Sequence, residues 1–223
     1  MRRVLVFMAV AALAVPALAD EVVLDQIGPD PSATENTAAV AASQDFEAAY
    51  DIYDVGILDD FMLDTDFTLT SVEAVLGFWG GIADFVNIQS YRVEFYSSPQ
   101  AAGSNLTGDV ASLQGLQADE LLDPFGDSQN RGKVLFEVNI PLEAGEYWLA
   151  VIPRMDFTGI GQTGVSASEI GATDCWQANP LQGFGQGTEW QPGYSAGYRI
   201  MGIPEPATLT LLALGGLALI RRR

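Results

Sequence analysis

The 223-residue sequence predicts an all-β fold, an antiparallel β-sandwich of jelly-roll-like type, on three observations. Apolar residues in the middle of the chain recur with a period of two. Turns rich in Gly, Pro, Asn and Asp separate these segments at short intervals. No long run in the body carries the apolar stripe of a helix.

The elements follow in chain order. Met1-Arg2-Arg3, the apolar run "VLVFMAVAALAV" and the small-x-small site at Ala17 and Ala19 form a signal peptide over residues 1–19. Its apolar run is shorter than the roughly 20 residues of a membrane span, so cleavage and a mature start at Asp20 are expected. The body, residues 20–203, has the size of one ordinary domain.

In "SYRVEFYSS", Tyr91, Val93 and Phe95 alternate with Arg92 and Glu94, the pattern of a half-buried strand. "KVLFEVNI" sets Val134, Phe136, Val138 and Ile140 against Leu135, Glu137 and Asn139. "GEYWLAVIP" is apolar on both faces and is expected to be covered on both sides. "DFTLTSVEAVLGFWGG" and "GYRIMG" complete the β-rich set, whereas "SLQGLQADELL" reads as a short helix or a connecting loop. Trp79 and Trp148, inside apolar strands, are expected in the core.

Charge restricts the partners. Only Arg92, Arg131, Lys133, Arg154 and Arg199 fall in the body, against 28 of the chain's 29 acidic residues, so the body carries −23. Nucleic acid is excluded, because phosphate affinity requires clusters of Lys and Arg. With hydrophobic residues at 48%, the chain nonetheless has the means to fold. The single cysteine, Cys175 in "TDCWQ", forms no bridge within the chain and reads as a small buried hydrophobe. Histidine is absent, which removes the Ser-His-Asp and Cys-His arrangements and the usual zinc ligand together. A two-carboxylate glycoside hydrolase or lyase needs only Asp or Glu, but no spacing singles out a pair. A non-enzymatic protein without a cofactor is the expectation.

Two binding candidates remain. Trp176, Trp190 and Tyr194 lie in polar, Gly-rich surroundings, where exposed rings would stack on sugars. The densest acidic stretch, "DFEAAYDIYDVGILDDFMLDTD", offers Asp59, Asp60, Asp64 and Asp66 as a Ca²⁺ site if a turn brings them together. Its order is not that of an EF-hand loop, and strand alternation would send neighbours to opposite faces.

The chain closes on a third kind of segment, 204–223. Pro204-Glu205-Pro206 precedes the apolar run Ala207 to Ile220, about 21 Å as a helix and short of a hydrocarbon core of about 30 Å. Arg221, Arg222 and Arg223 follow and would stay cytoplasmic while export stalls, giving at least a transient membrane contact. "PEPATLTLLALGGLALIRRR" resembles the C-terminal sorting signal of PEP-CTERM proteins. The resemblance implies passage through the Sec translocon and signal peptidase, then recognition of the tail by an exosortase, an integral-membrane cysteine protease. It also implies delivery to the cell surface or an extracellular polysaccharide matrix. The order of "LDDFMLDTDFTLTSVEAVLGFWGG", "YRVEFYSSP", "EAGEYWLAVIP", "CWQANP" and "GTEW" is similar to a group of exported β-sandwich ectodomains with such tails and no established activity.

Overall fold

The structure is a computed structural model that describes residues 19–30, 40–122, 125, 130–171, 174–185 and 187–205. The expected signal segment up to residue 18 and the hydrophobic tail from residue 206 lie outside the described residues. Among those described, the elements in chain order are β1 (Glu21–Asp25), β2 (Val40–Ala42), β3 (Gly56–Leu63), β4 (Phe67–Trp79), β5 (Ser90–Tyr96), α1 (Pro99–Ser104), β6 (Ala111–Leu116) and β7 (Glu120–Leu122). They continue as β8 (Gly132–Leu142), β9 (Gly145–Arg154), β10 (Gln162–Ser168), β11 (Asp174–Ala178), β12 (Thr188–Pro192), β13 (Ser195–Ala196) and β14 (Tyr198–Pro204).

These strands form two antiparallel sheets. One follows the order β1-β14-β4-β10-β13, with β2 on β10 and β8 joining β4 to β7. The other runs β12-β11-β3-β9-β5-β6. The inward faces share one apolar core, in which Val72, Phe136 and Ile200 of the first sheet meet Ile57, Phe95 and Leu149 of the second. The period-two pattern explains this placement, since every second side chain of a strand reaches the same face. Phe136 meets Tyr91 across the gap at 5.1 Å, edge to face.

The strand β9 is covered on both sides, as its doubly apolar sequence requires: Leu149, Ala150, Val151 and Ile152 are all buried. The outer cover is a second small core, where α1 and the loop after it close over Leu58, Tyr96, Ala150 and Ile152. Ser98 caps this helix by accepting the Ala101 N–H at 3.2 Å, with Pro99 in the first turn. Tyr96 ties the loop down by donating to the Leu106 carbonyl at 2.7 Å. Glu94, on the face its sequence marks as polar, is thereby fully buried. Its carboxylate is not left without partners there: Arg92 Nε lies 2.8 Å away and the Gly108 N–H donates to it at 2.9 Å.

Two expectations are corrected. "SLQGLQADELL" is neither helix nor loop but the strands β6 and β7. Its alternation is hidden by a bulge, because the register against β5 slips between Tyr91 and Val93 and Gly115 takes φ +70° opposite the slip. Trp79 and Trp148 are only partly buried: Trp79 ends β4, and Trp148 packs against the outer cluster rather than the main core.

Where β3 and β9 part company beyond Asp59 and Leu149, two hydroxyls take over the ladder. Tyr198 of β14, wholly buried, donates to the Ile57 carbonyl at 2.9 Å and accepts the Val151 N–H at 3.1 Å. Ser43 donates to the Val151 carbonyl at 2.7 Å and accepts the Ile57 N–H at 3.4 Å. Tyr198→Phe keeps the ring but strands two buried backbone groups, each worth roughly 1–3 kcal/mol when unsatisfied. Urea unfolding should therefore show a lower midpoint for Tyr198→Phe with an unchanged slope; a wild-type midpoint would remove this role from the hydroxyl.

Candidate functional site

The site is built on the outer face of the second sheet, at its β11–β12 edge. In β11 alternate residues point outward, so Asp174, Trp176 and Ala178 share that face. Trp176 stands directly opposite Trp190 of β12 and, on its other side, opposite Leu58 of β3. Cross-strand partners of this kind have Cβ atoms about 5 Å apart, close enough for the two indoles to form one surface. Trp190 is 50% exposed and donates its indole N–H to Asp174 Oδ2 at 3.2 Å, which fixes the ring without covering it. Trp176 is more sheltered, resting on the outer cluster.

One row further along the same face, Asp60 of β3 is in register with Trp148 of β9. Burial raises the Asp60 carboxyl above its ordinary range, and repulsion from Asp174 adds to the effect. The Trp148 indole N–H is buried with no hydrogen-bond partner. Two indoles, two neighbouring carboxylates and a third indole thus share one sheet face. Such a surface can stack planar or ring-shaped groups and accept hydrogen bonds from hydroxyls.

The structure brings together only part of the expected aromatic trio. Trp176 and Trp190 are paired, but Tyr194 lies past the turn after β12 and packs against the main core. Burial pushes its phenol up to about 12, so it is a structural ring rather than a surface one. Sequence reasoning missed Asp60, Asp174 and Trp148 as neighbours of the pair. The spacing of Asp174 and Trp176 marks them as sharing a face, but nothing local tells which strand lies beside them.

The four aspartates considered for Ca²⁺ do not converge. Asp59 points into the core, where it accepts the Ala196 N–H at 2.5 Å and the Asp60 N–H at 3.0 Å. Asp60 points the other way, and Asp64 and Asp66 are exposed in the β3–β4 turn. Asp66 is occupied, accepting the Ala144 N–H at 2.9 Å. Among the described residues no three His, Cys, Asp or Glu side chains are placed to hold a metal ion. The upstream acids serve the backbone as well: Glu47 accepts from Phe157 and Thr158, and Asp54 from Phe46. Cys175 is fully buried, and burial raises its thiol far above the ordinary range, which leaves it unreactive.

At the other end of the chain, β14 runs through Pro204, opposite Phe67 of β4. The Glu205 N–H donates to the Asp66 carbonyl at 2.8 Å, so the first two residues of the Pro-Glu-Pro triplet are held on the sheet. Pro206, Arg221, Arg222 and Arg223 lie outside the described residues, as does Ala17, whereas Ala19 is exposed just before β1. Residues 202–223 match a family profile described as the PEP-CTERM protein-sorting motif. The match thus begins inside β14. Comparison with curated proteins finds no match to the chain.

The inward carboxylate of Asp59 has a measurable consequence. Burial pushes it up to about 7 from an ordinary 3.8, outweighing the Ala196 and Gln26 hydrogen bonds that favour its charge. The native state therefore holds a proton that the unfolded chain has released, so this group's stabilisation is complete below pH ~4 and is lost as pH rises to about 7. Such a shift is on the order of 4 kcal/mol. Asp54, raised to about 6 mainly by burial, acts in the same direction. Asp59→Asn keeps an acceptor for Ala196 without the charge. Its stability should fall less between pH ~4 and ~7 than that of the wild type, as read by chemical unfolding across pH; parallel profiles would show that Asp59 does not titrate in this window.

Proposed function

We propose that the protein is a non-enzymatic component of the cell surface or extracellular matrix, exported by its signal peptide and sorted through its C-terminal segment. The sorting motif over residues 202–223 carries this reading. The pairing of β1 with β14 supports it, since Glu21 stands opposite Gly202 and the start of β1 and the end of β14 lie at the same end of neighbouring strands. The Sec translocon, signal peptidase and an exosortase are its processing partners. The membrane contact is transient, and the acidic body is the part that remains outside. The absence of histidine and the burial of Cys175 favour a role without catalysis.

A second reading is favoured by one observation, the Trp176–Trp190 pair on an open sheet edge. In it the body is a carbohydrate-binding β-sandwich that holds the protein to extracellular polysaccharide. Aromatic stacking supplies the affinity, while Asp60 and Asp174 accept sugar hydroxyls.

Intact-mass measurement of the native secreted protein tests the first reading. The expected species starts at Asp20 and ends near Pro206, and changing the Pro204-Glu205-Pro206 triplet should trap a longer form in the membrane fraction. A secreted species that still carries Arg223 would sink it.

For the second reading, pull-down on the producing organism's own polysaccharide should retain the wild type and lose most of Trp190→Ala. Because that ring is half exposed, its removal leaves the fold intact. Equal retention of the two would rule out stacking at this edge.

A further inference from the structure

A cavity of about 260 Å³ opens at one end of the sandwich, beside the loop that joins β11 to β12, lined by Phe46, Tyr50, Tyr53, Phe157, Gln162 and Phe184. The rings form a chain of contacts: Phe46 to Phe157 at 6.3 Å, Tyr50 to Phe157 at 5.4 Å, Tyr50 to Tyr53 at 6.3 Å and Tyr53 to Phe184 at 5.2 Å. These residues come from three loops, yet each wall is fixed. Glu47 accepts the Phe157 N–H at 2.6 Å. Asn179, itself buried, accepts the Phe184 N–H at 2.8 Å and donates to the Ile52 and Asp54 carbonyls. Phe157 and Phe184 nevertheless remain 37% and 47% exposed, so two rings are held open rather than folded into the core.

The charge around this cage is one-sided. None of the lining residues is basic. The segment that supplies Phe46, Tyr50 and Tyr53 also carries Asp45, Glu47, Asp51 and Asp54. Arg154 and Arg92 balance Asp45. Asp54 sits against Phe46, accepting its N–H at 2.8 Å, and feels the repulsion of both Asp45 and Asp51. Aromatic faces are negative, and a weakly hydrated cation over several of them gains about 2 kcal/mol or more when desolvated. An anion would meet the negative faces of the rings and the carboxylate of Asp54 beside Phe46. A sugar would find only two phenols and Gln162 for its hydroxyls.

We propose that this aromatic cage binds a small organic cation of the quaternary or methylated ammonium class. The volume lies just below the roughly 300–1,000 Å³ of drug-sized ligand sites, which suits a single head group. The position fits capture from the surroundings. β3 runs from Gly56 near the cage to Leu63 near Asp66, whose carbonyl holds Glu205, so the cage lies at the opposite end of the strands from the sorting segment. The proposal does not depend on sugar binding or on how the tail is processed.

Calorimetric titration of the full protein with choline and with its uncharged isostere 3,3-dimethyl-1-butanol, at matched ionic strength, tests it. Choline should bind one saturable site at least about tenfold more tightly than the isostere. Phe184→Ala, a change at a half-exposed ring that circular dichroism should show to be folded, should weaken choline about tenfold. Asp51→Asn should weaken choline and leave the isostere unaffected. Trp190→Ala should bind choline as the wild type does. Equal affinity for the isostere, no saturable choline binding, or an unaltered Phe184→Ala variant would each overturn the proposal.

Discussion

The hydroxyl of Tyr198 is the point on which the sandwich turns. It belongs to the first sheet but completes the hydrogen bonding of the second, joining Ile57 of β3 to Val151 of β9 where their own ladder has ended. Buried backbone groups need partners, so two strands can separate inside a core only if something polar enters between them. Tyr198 and Ser43 enter from the first sheet's side and make that separation possible. Beyond this point β3 turns to β11, which pairs with it at Gly56 to Leu58 and carries β12 at the edge, while β9 stays paired with β5 from Trp148 to Arg154. The same separation leaves room for the 45–54 segment, which bonds to β9 through Asp45 and forms one wall of the aromatic cage.

Among the described residues many carboxylates are arranged to support the backbone. Carboxylates accept N–H groups at Asp25, Glu47, Asp54, Asp66 and Asp119, each acting as a local clamp on a turn or strand end. The few cations are consumed the same way. Glu73 takes both Lys133 at 2.8 Å and Arg199 at 2.9 Å, which ties β8 and β14 to the central β4. Arg131 is buried and donates to Ser166 at 3.1 Å. Among the described residues the bases are thus engaged with carboxylates or buried hydroxyls.

The two proposed binding surfaces and the start of the sorting segment occupy separate parts of one body. The tail departs from β14 beside the β3–β4 turn, the cage opens at the far end, and the tryptophan pair lies along an edge between them. A domain leashed by its tail would thus present its aromatic cage outward. Pro204 and Glu205, the first two residues of the triplet, are still bonded to the sheet.

The sequence by itself determined what depends on near neighbours along the chain. Alternation in 90–96, 132–142 and 145–154 specified the strands and their core faces, and the sorting segment is legible because its triplet, apolar run and arginines are contiguous. Tertiary structure decided whatever depends on which strand lies beside which. Trp176 and Trp190 became a pair through antiparallel register, while Tyr194, close to them in sequence, turned to the core. Asp59 and Asp60 were split between core and outer face by strand geometry, and Glu94 was buried beneath the loop after α1, which its own strand pattern does not encode. The β6 strand escaped notice because a bulge at Gly115 breaks the period on which such reading rests. The aromatic cage draws on rings from 46 to 184, and their convergence is set by the packing of two sheets, a relation that local periodicity does not carry.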